Sequence, residues 1–320
     1  MNTSNKLRVL CQWDISFCPW VTSELQHVAD IDMQPADRDW LLEHIHEYDA
    51  ILVSLLVPLD KELIEKATRL KIVVTCTTGL DHLDLETLAA RNIEVQSIKT
   101  DFDLLDRVTA TAELAWALIL ATSRKLPAAH QAAARGQWAR DLYRGRQLSG
   151  RTLGILGVGR LGSMMADYGK AFRMRVLGCD HHPRKKIDHV EYVDFKTLLR
   201  EADVLSIHVH LTQENRGLIN REALSLMKHD AIIVNTSRGA IIDETALVEA
   251  LGANKLGGAG LDVIDGEWRT DLTDHPLIAY ARDHDNLTIT PHIGGVTDEA
   301  QQITCAFTAN RVAAALTNLP

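Results

Sequence analysis

The chain has 320 residues, more than one hydrophobic core usually holds, which predicts two domains. The composition, 46% hydrophobic and 24% charged, is ordinary for a soluble globular protein. The net charge of −9 argues against nucleic acid as a partner, and every apolar stretch falls short of the ~18 uncharged residues of a membrane span. The start lacks the apolar core of a secretory signal, and the five cysteines are scattered, which favours a cytoplasmic protein with reduced thiols.

Short β-rich runs alternate with helical patterns in the first third of the chain. The runs are LRVL (7–10), AILVS (50–54), KIVVT (71–75) and IEVQ (93–96), and helical patterns lie between them, such as Lys61–Arg69 and Asp84–Arg91. The alternation predicts a parallel sheet with helices on its faces. A long helix follows over Thr111–Leu126, and it is apolar nearly all round. A subunit interface or a site within one chain would bury it, and both interpretations stay open.

The alternation of strands and helices restarts after Gly150. Its six strand-like runs are RTLGIL, MRVLGC, VLSIHV, AIIVN, GGAGLDV and NLTIT. Six strands suit a doubly wound dinucleotide domain, and a last helix is expected over roughly Asp298–Leu316. No linker marks a boundary, so we place the chain crossings by this alternation. Residues 103–293 are then a dinucleotide domain inserted into a second domain of residues 1–102 and 294–320.

The segment TLGILGVGRLG (152–162) reads as a strand that runs into Gly157, Gly159 and Gly162. The three glycines permit a tight turn, close approach of a pyrophosphate, and close helix packing. The next strand ends in Asp180, whose carboxylate suits the adenosine ribose and repels a 2′-phosphate. The pattern predicts a dinucleotide site and favours NAD. The basic residues 184–186 keep NADP as the less favoured alternative.

Four segments at the ends of later strands carry reactive side chains: SIHVHLT (206–212), VNTSRGAIID (234–243), GAGLDVIDGEW (258–268) and ITPHIGG (289–295). Arg238 can grip a carboxylate through two hydrogen bonds and polarise a neighbouring carbonyl. His292 can give a proton to that carbonyl or take one from a hydroxyl, and Glu267 can fix its tautomer. Together they suit hydride transfer at a 2-keto or 2-hydroxy acid.

These segments resemble the D-isomer-specific 2-hydroxyacid dehydrogenases, in the order in which that family has them. TTGLDHLD (77–84) resembles the family's substrate-carboxylate loop, and TAELAWALIL its dimer helix. The resemblance implies an α/β protein of two doubly wound parallel-sheet domains, a Rossmann NAD-binding domain inserted into a flavodoxin-like substrate domain. It also implies a homodimer through the helix around Thr111–Leu126.

The resemblance further implies the site residues. The catalytic set is Arg238, Glu267 and His292. The cofactor-binding set is Gly157, Gly159, Arg160, Leu161, Gly162, Asp180, Thr111, His208, Thr212, Thr236, Asp262, Gly294 and Gly295. The substrate-binding set is Thr78, Gly79 and Arg238. Asp262 is expected at the nicotinamide carboxamide and His208 near the adenine.

The chain departs from the family pattern at two positions. Trp268 follows Glu267 where the family often has proline, and His210 stands where proline is usual. Neither change removes a catalytic group, although Trp268 is expected to reshape the wall behind Glu267. The three histidines 181, 182 and 189 lack a supporting ligand at suitable spacing, so no metal is expected.

Two functions remain in view. The first is an NAD-dependent oxidoreductase of small D-2-hydroxy acids, in which two domains close over a cleft. The second is a non-catalytic NAD(H)-sensing corepressor-like protein. The apolar loop LVSLLVPLD (52–60) weakly favours a small or apolar substituent on the substrate. The sequence names neither the 2-hydroxy acid nor the physiological direction.

Overall fold

The computed structural model describes residues 6–13, 15, 19–34, 37–55, 57–181, 186–269 and 271–317. Contacts between residues divide the chain into two compact units. Unit 1 comprises residues 1–108 and 298–320, and unit 2 comprises residues 109–297. The expected crossings at 102/103 and 293/294 lie a few residues before these divisions, and the short helix at 102–105 belongs to unit 1.

The strands of the described residues are, in chain order, β1 (Leu7–Cys11), β2 (Ala29–Met33), β3 (Ala50–Leu52), β4 (Ile72–Thr75), β5 (Glu94–Ser97), β6 (Thr152–Leu156), β7 (Arg175–Cys179), β8 (Val190–Tyr192), β9 (Val204–Ile207), β10 (Ile232–Asn235), β11 (Gly258–Leu261) and β12 (Leu287–Ile289).

The helices are α1 (Pro19–Val28), α2 (Arg38–His44), α3 (Lys61–Lys66), α4 (Leu85–Ala90), α5 (Phe102–Leu105), α6 (Ala110–Arg124), α7 (Leu126–Ala134), α8 (Arg160–Ala171), α9 (Phe195–Glu201), α10 (Arg221–Leu226), α11 (Glu244–Gly252), α12 (Pro276–Asp283) and α13 (Asp298–Thr317). Aspartates before several helices accept a hydrogen bond from the first turn, as Asp84 does from Thr87 N and Asp194 from Thr197 N. These caps explain where the short helices begin.

The described residues of unit 1 form a five-stranded parallel sheet in the order β2-β1-β3-β4-β5. This is the flavodoxin-like order, which confirms the expected fold of this half. Strand β2 was not predicted. Its sequence, ADIDM, contains two aspartates, and it pairs with β1 alone at the edge of the sheet, where Asp32 accepts a hydrogen bond from the Tyr48 hydroxyl.

Unit 2 contains a seven-stranded parallel sheet in the order β12-β11-β10-β9-β6-β7-β8 among the described residues. Counted from β6, the order is that of a Rossmann sheet with one strand added at the β12 edge, which confirms the predicted fold class. The strand that the six predicted runs did not include is β8, a three-residue edge strand without a long apolar run. Both faces of the sheet are covered by buried aliphatic clusters, so the central strands are buried throughout.

The long helix predicted over Thr111–Leu126 is two helices. α6 ends at Arg124 because Lys125 adopts a left-handed conformation with φ of 51°, and α7 begins at the next residue. Trp116 on α6 is buried and packs against Tyr168 and Phe172 of the region of α8. Within the described part of the chain, no helix combines the length and apolar character needed to cross a membrane.

Candidate active site

Six strands of unit 2 end in register at one edge of the sheet. Their last residues are partners across the sheet, in the row Cys179, Leu156, Ile207, Asn235, Leu261 and Ile289. The predicted site residues follow directly: Gly157 after β6, Asp180 after β7, His208 after β9, Thr236 after β10, Asp262 after β11 and His292 shortly after β12. Because ligands of open α/β sheets bind outside the carboxyl ends of the strands, this edge is the candidate site.

The glycine loop lies between β6 and α8, and the space available to a side chain differs at each of its three glycines. Gly157 has a φ of +92°, and a Cβ there would lie 2.7 Å from the carbonyl oxygen of His208. A Cβ at Gly162 would overlap the carbonyl oxygen of Gly157, so α8 packs onto the loop only with glycine there. At Gly159 the described residues leave nothing within 4 Å of such a Cβ. The loop is therefore tight on the protein side and open at Gly159.

Helix α8 begins at Arg160 and continues with Leu161, and the residue before them is Gly159. Glycine has no side chain with which to cap a helix, and the first N–H groups of a helix lack intrahelical partners. The positive end of the helix dipole points in the same direction. The start of α8 therefore fits a pyrophosphate.

Other polar atoms at this edge also fit a dinucleotide. Asp180 Oδ2 accepts a hydrogen bond of 2.7 Å from Val158 N, which holds the carboxylate beside the glycine loop. Thr236 Oγ1 and His208 Nδ1 are buried and have no hydrogen-bond partner among the described residues. Burial lowers the pKa of His208 to about 4, so its ring is neutral at pH 7. Polar atoms buried without partners are typical of a site that a ligand completes.

A carboxylate and an imidazole meet at the ends of β11 and β12. Glu267 Oε1 lies 2.8 Å from His292 Nδ1, and the two side chains are 13% and 19% exposed. An ionised carboxylate can only accept, so Nδ1 carries the proton of this bond. That assignment leaves Nε2 of His292 as the atom that exchanges a proton.

Asp262 holds the backbone that carries His292. It is 1% exposed, and its two oxygens accept from Thr290 Oγ1 at 2.6 Å, from Ile293 N at 2.9 Å and from Gly294 N at 2.8 Å. His292 itself has a φ of 53°, which is unusual for a residue with a side chain. The carboxylate therefore organises the turn from 290 to 294, a task that the sequence did not reveal.

Thr111 and Arg238 approach the same edge from other elements. Thr111 Oγ1, in the first turn of α6, donates to the carbonyl oxygen of Gly294 over 3.0 Å. Arg238 follows β10 and is half-buried; its guanidinium donates to the carbonyl oxygen of Ser237 over 2.8 Å, and its own carbonyl accepts from Asn235 Nδ2.

Two predicted site residues of unit 2 have fewer constraints. Thr212 is exposed and lies beyond the strand, because β9 ends at Ile207, two residues before the end of the predicted run VLSIHV (204–209). Gly295 is exposed, with nothing of the described residues within 4 Å of an added Cβ.

Thr78 and Gly79 belong to unit 1, in the turn after β4. The Thr77 hydroxyl donates to the carbonyl oxygen of Gly79 over 2.8 Å and shapes this turn. Leu56 of the apolar loop, His182, and the basic residues Arg184 and Lys185 lie outside the described residues.

Trp268, which stands where the family often has proline, contacts His292. Its ring stacks on that of His292, with centroids 5.3 Å apart and planes at 30°.

Two further residues, Glu244 and His275, contact the backbone of Asp265 in the segment that carries Glu267. Sequence reasoning missed them because an acid at a helix start and a histidine before a proline are ordinary capping residues.

Comparison with known proteins places these features in a family. Residues 116–294 match the model described as D-isomer specific 2-hydroxyacid dehydrogenase, NAD binding domain. The chain is 37% identical to a glyoxylate reductase of Thermococcus litoralis over 85% of this chain and 81% of that one. It is 36% identical to a hydroxypyruvate reductase of Thermotoga maritima over 85% and 86% of the two chains. A D-lactate dehydrogenase of Aquifex aeolicus, solved with NAD and lactic acid, superposes with a TM-score of 0.86 at 29% identity, over 97% of this chain and 95% of that one.

The fold and the strand-end site define a dinucleotide-dependent oxidoreductase. The chain belongs to the D-isomer specific 2-hydroxyacid dehydrogenase family and is an NAD-dependent enzyme of that family. The comparisons lend no support to the alternative of a corepressor-like NAD(H) sensor.

Proposed function

We propose that the protein interconverts a small D-2-hydroxy acid and its 2-keto acid, with His292 as acid and base, Glu267 as its orienting carboxylate and Arg238 as the substrate-binding cation. The observation that carries the proposal is the 2.8 Å contact between Glu267 Oε1 and His292 Nδ1 at the end of β11 and β12. Arg238 follows β10, the strand next to β11 in the sheet. An acid–imidazole pair beside a bidentate cation suits a substrate with a carboxylate next to a carbonyl.

Each residue has one task in the proposed reduction. Arg238 donates to the substrate carboxylate and draws electron density from the neighbouring carbonyl. His292 delivers a proton from Nε2 to the carbonyl oxygen, and Glu267 stabilises the imidazole ring through Nδ1 in both protonation states. NAD, when bound, supplies or accepts the hydride. In oxidation, Nε2 takes the hydroxyl proton instead.

The glycine loop, Asp180, Thr236 and the start of α8 are proposed to hold the cofactor. The open space at Gly159 supports a pyrophosphate there, and the unpaired Thr236 Oγ1 supports a further contact. The negative charge of Asp180 supports NAD over NADP. Arg160, Leu161, Gly162, Thr111, His208, Thr212, Asp262, Gly294 and Gly295 complete the proposed cofactor set.

The proposed substrate is a two- or three-carbon 2-keto acid, glyoxylate or hydroxypyruvate being the first to test because the similar enzymes carry those names. The backbone N–H groups of Thr78 and Gly79 are proposed to bind its carboxylate. Residues 103–293 remain the proposed NAD-binding domain.

We also propose a homodimer through α6 and the segment after it. Ala117 on α6 is exposed, and Leu126, Trp138 and Leu142 are 51%, 87% and 71% exposed. Large apolar side chains clustered in one exposed segment support an interface.

A cytoplasmic location is proposed from the four described cysteines, which are all free thiols.

Oxidation of NADH by the purified protein with glyoxylate, hydroxypyruvate, pyruvate and longer 2-keto acids tests the proposal. We expect turnover with at least one of them, and a fall of kcat by about 10²–10⁴ in His292→Ala, since proton transfer contributes that much. NADH affinity should stay near that of the wild type.

His229→Ala is the matched control, because His229 is exposed and paired with Asp230 before β10, away from the carboxyl ends of the strands. Its kcat should equal that of the wild type. Absence of turnover with every 2-keto acid, or full activity in His292→Ala, would overturn the proposed function.

A further inference from the structure

We propose that Glu244 and His275 are positioning residues of the reaction: together they clamp the peptide groups of Asp265 and thereby hold Glu267 in hydrogen-bonding distance of His292. The inference rests on the proposed function of Glu267 and His292. It assigns a task to two residues that touch neither of them in the described contacts.

The clamp grips one residue from both sides. Glu244 Oε1 accepts a hydrogen bond of 2.6 Å from the N–H of Asp265. His275 Nε2 lies 3.1 Å from the carbonyl oxygen of Asp265 and 3.2 Å from Glu244 Oε2. Both backbone groups of Asp265 are therefore satisfied by buried side chains, although its own side chain is mostly exposed.

The contacts of His275 decide its tautomer. Its Nδ1 accepts from Leu277 N over 3.3 Å, where His275 is the N-cap of α12. A ring nitrogen that accepts carries no proton, so Nε2 carries it and donates towards both the Asp265 carbonyl and Glu244. The imidazole serves as a bridge between the start of α12 and the segment that bears Glu267.

Burial makes this bridge rigid. The side chains of His275 and Glu244 are 5% and 15% exposed. Burial raises the pKa of Glu244, although the hydrogen bond from Asp265 N and the nearby His275 act in the opposite direction. In a site of low dielectric, each hydrogen bond of the clamp is strengthened, and leaving one unmade is costly.

A glycine next to Arg238 brings the clamped segment against the turn after β10. A Cβ at Gly239 would overlap the backbone of Ile264 and Asp265, so the two backbones touch directly. From Asp265 the chain passes through Gly266, with φ of +72°, to Glu267, whose Oε2 lies 3.4 Å from Ile264 N. A shift of the Asp265 peptide would therefore move the carboxylate of Glu267 away from His292.

The test separates the clamp from the helix cap. In His275→Asn, the Asn Oδ1 can still cap α12 but its amide is too short to reach Asp265, whereas the longer His275→Gln reaches it again. We expect kcat to fall about tenfold in His275→Asn, since a displaced acid–base group costs up to about a hundredfold. NADH affinity should be unchanged, and His275→Gln should recover most of the activity.

A double variant shows whether the effect passes through Glu267. In the Glu267→Gln background, His275→Asn should cause no further loss of kcat, because residues that act through one group are not additive. His229→Asn, the matched substitution at an exposed histidine, should behave like the wild type. If His275→Asn does not fold, Glu244→Gln replaces it: the Gln amide presents a donor to His275 Nε2–H, and kcat should fall.

The outcomes are distinct. A kcat within twofold of wild type in folded His275→Asn or Glu244→Gln, or an equal further loss in the Glu267→Gln background, overturns the clamp and leaves the proposed function standing. An unchanged kcat in Glu267→Gln alone overturns the proposed function itself.

Discussion

The two sides of the strand-end edge are built in opposite ways. At the ends of β6 and β7, the glycine-loop side, the loop consists largely of glycines. The absence of a side chain at Gly159 leaves open space in front of the backbone and the start of α8. At the ends of β10, β11 and β12, which we call the catalytic side after the function proposed for it, the polar side chains are held by other groups. Affinity for a dinucleotide needs space, while proton transfer needs a fixed donor. The comparison predicts that variants of the two sides damage different steps.

The largest effect is expected on the catalytic side. Glu267→Gln keeps the shape of the side chain but loses the charge that orients His292, so kcat should fall by a factor on the order of 10² or more. The dissociation constant of NADH, measured by fluorescence titration, should stay within about twofold. Weakened NADH binding with normal kcat would reverse the proposed division of tasks.

Gly159→Ala tests the glycine-loop side. The described residues leave room for the added methyl group, so the melting temperature should be unchanged. The methyl group would occupy the space proposed for the pyrophosphate, and NADH affinity should fall about tenfold or more, equivalent to at least ~1.4 kcal/mol. Gly162→Ala is the contrasting variant, which should also lose stability because its Cβ meets backbone. Unchanged NADH affinity in Gly159→Ala contradicts the assignment.

Asp180→Asn probes the choice between cofactors with a smaller expected effect. The amide oxygen can still accept from Val158 N, so the loop should stay in place. Loss of the negative charge should reduce the preference for NADH over NADPH by about tenfold, the order expected for a partly screened repulsion. The ratio of kcat/KM for the two cofactors measures it, and a constant ratio would show that Asp180 does not select.

His208 lies after β9, between the two sides, and its effect is on stability. Its pKa falls from 6.5 to about 4 on folding because of burial, so below pH 6.5 the unfolded chain binds a proton that the folded chain excludes. Stability from this group is present above pH 6.5 and lost as the pH falls towards 4.

Without cofactor, the free energy of unfolding measured in urea should therefore drop between pH 7.5 and pH 5, and His208→Gln should reduce that drop by about 2 kcal/mol. His130→Gln, at an exposed histidine, serves as the control and should leave the drop unaltered. An equal pH response in all three proteins would show that His208 titrates normally in the fold.

Much of the fold could be predicted from local sequence. Central strands such as β6 and β10 are continuous apolar runs, since both faces of a parallel sheet are buried. The edge strands β2 and β8 were not predicted. Each pairs with one neighbouring strand, so it can be short and can contain aspartate or glutamate, which hides the apolar pattern of a strand. The break at Lys125 was not predicted either, since an apolar pattern continues across it and only the backbone angle ends α6.

By itself the sequence determined what a strand end must carry: glycines at 157, 159 and 162, an acid at 180, and the reactive trio Arg238, Glu267 and His292. These depend on residue type and on position after a strand, both of which are local. Only the tertiary structure decided what holds them. Asp262 binds the turn that bears His292, and Glu244 with His275 grips Asp265, through hydrogen bonds between segments distant in the chain. Such partners are chosen by distance in the folded protein, which no spacing along the sequence encodes.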